Sequence, residues 1–144
     1  MTYTHVGFKD INKWERAVVF ALKLDGWDIE WTGAGFEHYD AKGKTPKGFD
    51  CVIEMKFRDK YYEDKMIEKY KLDKLLSLGV VAIYFVADPK GNYFFWLNNL
   101  ELPEVLEKWC PSTTLWNNKK ELKKVYLLPE KDSVLINKYE IYDK

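Results

Sequence analysis

The segment FDCVIEMKFR, Phe49 to Arg58, alternates in character with a period of two. Phe49, Cys51, Ile53, Met55 and Phe57 occupy one set of positions, and Asp50, Val52, Glu54, Lys56 and Arg58 the other. Successive side chains of a strand point to opposite faces. The segment therefore predicts a strand with an apolar wall on one side and, on the other, an acid and a base two residues apart. A second constraint is GVVAIYFVA, Gly79 to Ala87, which is apolar almost throughout. Such a run fits a central strand covered on both faces. At nine residues it is far short of the ~20 needed to cross a bilayer as a helix.

The remaining elements arrange themselves around these two strands. Asp10 as N-cap and Asp25-Gly26 as terminator bracket a helix over INKWERAVVFALKL, with Ile11, Trp14, Val18, Ala21 and Leu22 as its buried stripe. WDIEWTG reads as a short strand. Gly43, Pro46 and Gly48 mark a turn between two extended arms, so Gly35 to Arg58 reads as a hairpin. YYEDKMIEKYKLDKLLSLG carries helical periodicity through Met66, Tyr70, Leu75 and Leu76, with Leu72 fitting less cleanly, and stops at Gly79. DPKGN turns the chain into YFFWLNN, an antiparallel neighbour of the central strand. LPEVLEKW suggests a short helix and KKVYLLP a late strand. The order implies an α/β sandwich with a mixed sheet, in one domain of 144 residues: a core over 8–100 and a C-terminal extension over 101–144.

Composition narrows the function. Basic and acidic residues balance at 23 each, which counts against general coating of a polyanion. Cys51 falls on the apolar face of its strand, and both it and Cys110 read as reduced, packed thiols. The chain has no CxxC or HxxxH spacing and only two histidines, so zinc is not expected. The N-terminal MTYTHVGFKDINK has no apolar segment like that of a signal peptide, and a cytoplasmic protein is expected.

An acid two residues before a lysine occurs five times: at Asp40, Glu54, Glu63, Asp88 and Glu121. The tripeptide alone therefore decides nothing. Only Glu54 and Lys56 lie on a strand whose other face is wholly apolar. A divalent-metal site needs a further oxygen donor, and magnesium commonly takes one or two carboxylates plus waters and phosphate. Asp50 is on the same strand, but four residues at ~3.3 Å each put it ~13 Å from Glu54. The adjacent arm is closer, because opposed Cβ atoms are only ~4.5–5.5 Å apart. With the hairpin centred near Lys47, Asp40 falls opposite Glu54 and is the first choice, with Asp50 second. Glu15 lies between Ile11, Val18, Val19 and Leu22 on the helix's inward side, where a carboxylate is costly unless paired or near a metal. Its competing reading is an acid at the stripe's edge capping a lysine. The aromatics of YFFWLNN, with Trp109, Trp116 and Tyr126, are read first as core or dimer interface and second as base-stacking surfaces.

This order resembles the PD-(D/E)xK nuclease superfamily: Glu15 on a first helix, Asp40 before a turn, Glu54-Met55-Lys56 on the next strand, then a Lys/Tyr-rich helix. It is most similar to the compact branch that includes archaeal Holliday-junction resolvases and small phage nucleases, over roughly Phe8 to Leu100. Tyr39 stands where many members carry a proline before the aspartate. The resemblance implies a restriction-endonuclease-like three-layer sandwich, a mixed central sheet flanked by helices. It implies Asp40 and Glu54 as ligands of Mg²⁺ or Mn²⁺, the Met55 carbonyl as a third, and Glu15 holding a metal-bound water or second ion. Lys56 would stand beside the attacking water, and Lys71 would be added from the following helix, against the alternative that it is a solvated lysine. The implied activity is a metal-dependent endonuclease hydrolysing DNA phosphodiester bonds, with branched or structured DNA a candidate substrate. A homodimer would suit symmetric cleavage, and no membrane is involved. The alternative is a catalytically inactive nuclease-fold protein that binds nucleic acid or serves assembly.

Overall fold

The computed structural model describes residues 8–33, 38–111 and 120–138. The chain runs α1 (Phe8–Leu24), β1 (Asp28–Trp31), β2 (Ala41–Lys44), β3 (Asp50–Phe57), β4 (Asp64–Glu68), α2 (Lys69–Leu76), β5 (Val81–Asp88), β6 (Gly91–Trp96), β7 (Leu106–Pro111), β8 (Lys120–Pro129) and β9 (Val134–Lys138). The central sheet has the order β1-β2-β3-β5-β6-β9, and a second sheet has the order β4-β8-β7. Among the described residues only β3 and β5 pair in parallel; the other central pairings are antiparallel, so the sheet is mixed as expected.

The alternation of β3 divides the core in two. Cys51, Ile53 and Met55 face one layer with Ile83, Phe85 and Phe94, where Val19 and Leu22 of α1 cover them. Val52 faces the other side with Tyr84, Val86 and Phe95, covered by Leu72 and Leu75 of α2 and by Ile67, Tyr126 and Leu128 of the second sheet. The result is three layers: α1, the central sheet, and α2 together with the second sheet. β5 is buried on both faces, as its continuous apolar run requires. Both cysteines are buried and unbonded, and burial raises the Cys51 thiol to about 11, which keeps it unreactive. Gly43 lets β1 and β2 approach, since a Cβ there would meet the Asp28 carbonyl oxygen at 2.1 Å. Among the described residues, no helix is long and apolar enough to cross a membrane.

Five local expectations are corrected. α1 begins before Asp10, which lies in its first turn rather than at its cap. Its buried positions are Glu15, Val19 and Leu22, whereas Trp14 and Ala21 are exposed. The helix is thus turned so that a carboxylate, not an indole, points inward. The long helix over the segment from Tyr61 does not form. Asp64–Glu68 is β4, held by antiparallel pairing to Val125–Pro129, and only Lys69–Leu76 is helical. Tyr70 was placed on the buried stripe and is instead 61% exposed, because Leu72 and Leu75 take the inner face. Finally, LPEVLEKW is not helical: Leu106–Pro111 pairs with Lys120–Val125 as β7. Pairing across a long sequence separation overrides local periodicity in both segments. Residues after Leu100 are built into both sheets, β7 and β8 in the second and β9 at the edge of the first.

Candidate active site

The hairpin register brings Asp40 to Glu54. β2 pairs with β3 with Ala41 opposite Ile53, which continues to Asp40 opposite Glu54. The turn fixes this: Thr45 N–H donates to the Phe49 carbonyl at 2.9 Å, and Gly48 N–H to that of Thr45 at 2.8 Å. The Asp40 backbone bridges its neighbours, donating to Ile53 O at 2.8 Å and accepting from Thr32 N–H at 2.9 Å. Its carboxylate Oδ2 then accepts the Met55 N–H at 2.7 Å. β2 begins only at Ala41, so the Asp40 side chain occupies the strip beside Met55 where ladder backbone would otherwise lie. The N–H and C=O of one strand residue face the same side, so the Met55 carbonyl also turns toward Asp40.

Glu54 and Lys56 share the opposite face from the α1 layer. Glu54 is buried and accepts from Lys71 Nζ at 3.2 Å. Lys71 reaches it because β4 runs straight into α2, and the buried Leu72 and Leu75 fix the helix rotation. Lys56 is half-buried beside Val86. Glu15 approaches from the α1 side, is buried, and accepts from Trp31 Nε1 at 2.9 Å. Its carboxyl is also within hydrogen-bonding reach of Asp40. Trp31, rather than a lysine, is therefore the partner that satisfies Glu15.

The electrostatics follow from burial. It pushes Glu54 up to about 7; Lys71 opposes the shift and the Asp40 charge adds to it. Asp40 is raised by burial against the Met55 N–H bond and the charges of Lys71 and Lys56. Glu15 is raised by burial, opposed by Trp31 and reinforced by Asp40. Lys56 is lowered by burial, then by Lys71 and Arg58. Burial opposes the Lys71 charge too, but Glu54, Glu68 and Asp40 outweigh it and hold that ammonium above its ordinary value. Burial thus disfavours the ionised form of all three carboxyls, an effect that a bound cation would oppose.

The donors fit a hard dication. Two carboxylates and a carbonyl offer only oxygen, as magnesium and manganese prefer. No three His, Cys, Asp or Glu side chains converge into one cage among the described residues. Asp40, Glu54 and the Met55 carbonyl would leave the rest of a cation's shell to waters and a substrate phosphate.

Asp50 is not brought to this site; it is exposed at the far end of β3 and paired with Lys44 at 2.8 Å. Of the aromatics, Tyr93, Phe94, Phe95 and Tyr126 are core, Trp109 is 67% exposed, and Trp116 lies outside the described residues. Trp31 was missed from the sequence. Arg58, already placed on the polar face by the β3 alternation, was given no role there; its N–H bonds the Ala87 carbonyl at 2.8 Å. Trp31 carried no comparable signal.

No protein-family model matches the sequence, and neither does any curated protein. Among solved structures, the fold is similar to that of Archaeoglobus fulgidus Hjc, a Holliday junction resolvase from an archaeal hyperthermophile. The TM-score is 0.58 at 18% sequence identity, covering 86% of this chain and 89% of that one. The restriction-endonuclease-like α/β fold expected from the PD-(D/E)xK resemblance is therefore the fold of this chain.

Proposed function

We propose that this chain is a divalent-metal-dependent deoxyribonuclease that hydrolyses phosphodiester bonds, with branched or structured DNA as its substrate. The observation that carries the reading is the Asp40–Met55 bond, which sets one carboxylate beside the backbone that joins Glu54 to Lys56. The fold shared with a Holliday junction resolvase supports it.

In this reading Asp40, Glu54 and the Met55 carbonyl hold Mg²⁺ or Mn²⁺. When bound, such an ion supplies charge neutralisation at the scissile phosphate and a water of lowered pKa. Glu15, held by Trp31, would orient Asp40 or a water beside it. Lys56, its charge disfavoured by burial and two neighbouring cations, holds or moves a proton at Nζ next to the attacking water. Lys71 keeps its charge and positions Glu54. The substrate backbone meets Glu54, Lys56 and Lys71 on the sheet face opposite α1, with Asp40 at its edge and Glu15 behind it.

A second reading has one observation in its favour. The 3.2 Å Lys71–Glu54 pair already neutralises one of the two carboxylates internally, which suits a protein that binds nucleic acid without cutting it. Incubation with supercoiled, linear, single-stranded and four-way-junction DNA, with Mn²⁺ or with chelator, separates the two. The nuclease reading expects product only with metal and none from Glu54→Gln. Binding without product at high protein concentration would select the second reading.

A further inference from the structure

A cavity adjoins the candidate site on the same sheet face. Glu54, Lys56 and Arg58 form one row along β3, two residues and thus roughly 7 Å per step. Tyr84 and Val86 lie beside Glu54 and Lys56 in the neighbouring strand β5. Together with β4 and β8, they enclose about 280 Å³. Its walls include Arg58, Met66, Tyr84, Val86, Lys108 and Leu127.

The walls divide by chemistry. Met66, Val86, Leu127 and the Tyr84 ring are apolar, and the Tyr84 hydroxyl is already spent on the Met66 carbonyl at 2.7 Å. The floor holds the buried Lys65–Asp88 pair at 2.9 Å, which neutralises itself. The solvent-facing members of the lining form its mouth and carry the excess charge: exposed Lys60 and Lys108 and half-buried Arg58 outnumber exposed Asp64. An apolar slot with a cationic mouth suits a flat apolar group tethered to an anion. Small-molecule clefts run ~300–1,000 Å³, so this cavity has room for one base and none for a base pair.

We propose that this cavity receives one unpaired nucleotide of the substrate strand. The base lies against Met66, Tyr84, Val86 and Leu127, and the phosphate against Arg58 and Lys108. The proposal rests on the reading that Glu54 and Lys56 face a nucleic-acid strand. It adds a source of selectivity. A nucleotide that is already unpaired costs less to seat than one drawn from a duplex, so single-stranded or junction DNA is favoured next to the cut.

The test is fluorescence anisotropy, in chelator, with a labelled single strand of about 12 nucleotides and with an all-abasic strand of equal length. Lys108→Ala and Leu127→Trp are each expected to weaken the base-bearing strand about tenfold. The abasic strand should respond to Lys108→Ala and not to Leu127→Trp, which fills the slot and leaves the mouth. Unchanged affinity for the base-bearing strand in a folded Leu127→Trp protein would overturn the proposal. So would an unaltered response to Lys108→Ala, a surface change that leaves the core intact, or failure of the parent to bind the strand. Cleavage by Glu54→Gln addresses the nuclease reading separately, so either can fail alone.

Discussion

Asp40 Oδ2 accepts the Met55 N–H at 2.7 Å, so the acid of one hairpin arm is bonded to the backbone between the acid and the base of the other. Asp40→Asn keeps an oxygen to accept that N–H but loses the charge. The variant should melt within a few degrees of the parent and cleave DNA about 10²-fold or more slower with Mn²⁺, several kcal/mol of lost stabilisation. Asp40→Ala also leaves the Met55 N–H without its acceptor, at a further cost of ~1–3 kcal/mol in stability. Thermal melts and initial cleavage rates read both effects.

Metal-free stability should fall as pH rises. Burial raises Glu54 to about 7 from an ordinary 4.5, so between these values the folded state binds more protons than the unfolded chain. The stability from keeping Glu54 neutral is full below about 4.5 and lost as pH climbs through about 7. In chelator, Tm should drop by roughly 5–10 °C from pH 5 to pH 8, and Glu54→Gln should flatten the decline. Mn²⁺ should restore more Tm at pH 8 than at pH 6, since it binds the ionised carboxyls. A Tm that climbs with pH in chelator would contradict this assignment.

Lys56→Ala separates chemistry from folding. The lysine is half-buried and its charge is disfavoured by burial, Lys71 and Arg58, so its loss relieves repulsion. Cleavage should fall about 10²–10³-fold, while Tm stays level or rises slightly. A large loss of Tm would mean that Lys56 is structural.

Lys65 anchors the second sheet to the first. It is 4% exposed, lies 2.9 Å from the buried Asp88 and 3.3 Å from Glu130, and sits over the Tyr61 and Tyr93 rings. Lys65→Ala strands Asp88 without its counter-charge. Chemical denaturation should show a loss of about 3–5 kcal/mol, a larger cost than that of any active-site substitution above.

The candidate site was legible in the sequence to an unusual extent because it sits on a hairpin. Strand alternation and the turn at Gly43, Pro46 and Gly48 fix which residue faces Glu54, and a one-residue slip would eject Ile53 and Met55 from the core. Lys71 was reachable because it follows within the next helix. Asp50 could be ranked below Asp40 on strand rise alone, and the structure leaves it paired to Lys44 at the surface. Trp31 was not legible: nothing in WDIEWTG says that its indole meets a carboxylate sixteen residues earlier.

The order of residues determined the two central strands, the hairpin register and the row Glu54, Lys56, Arg58, because alternation is set between neighbours in the chain. Tertiary structure alone decided that Asp64–Glu68 is a strand, since its partner is β8, some sixty residues on. It also decided the rotation of α1 that leaves Trp14 and Ala21 exposed, the Trp31 indole as partner of Glu15, and the cavity beneath β4 and β8. Each of these depends on which distant surface buries a given face, and local pattern carries no record of that partner.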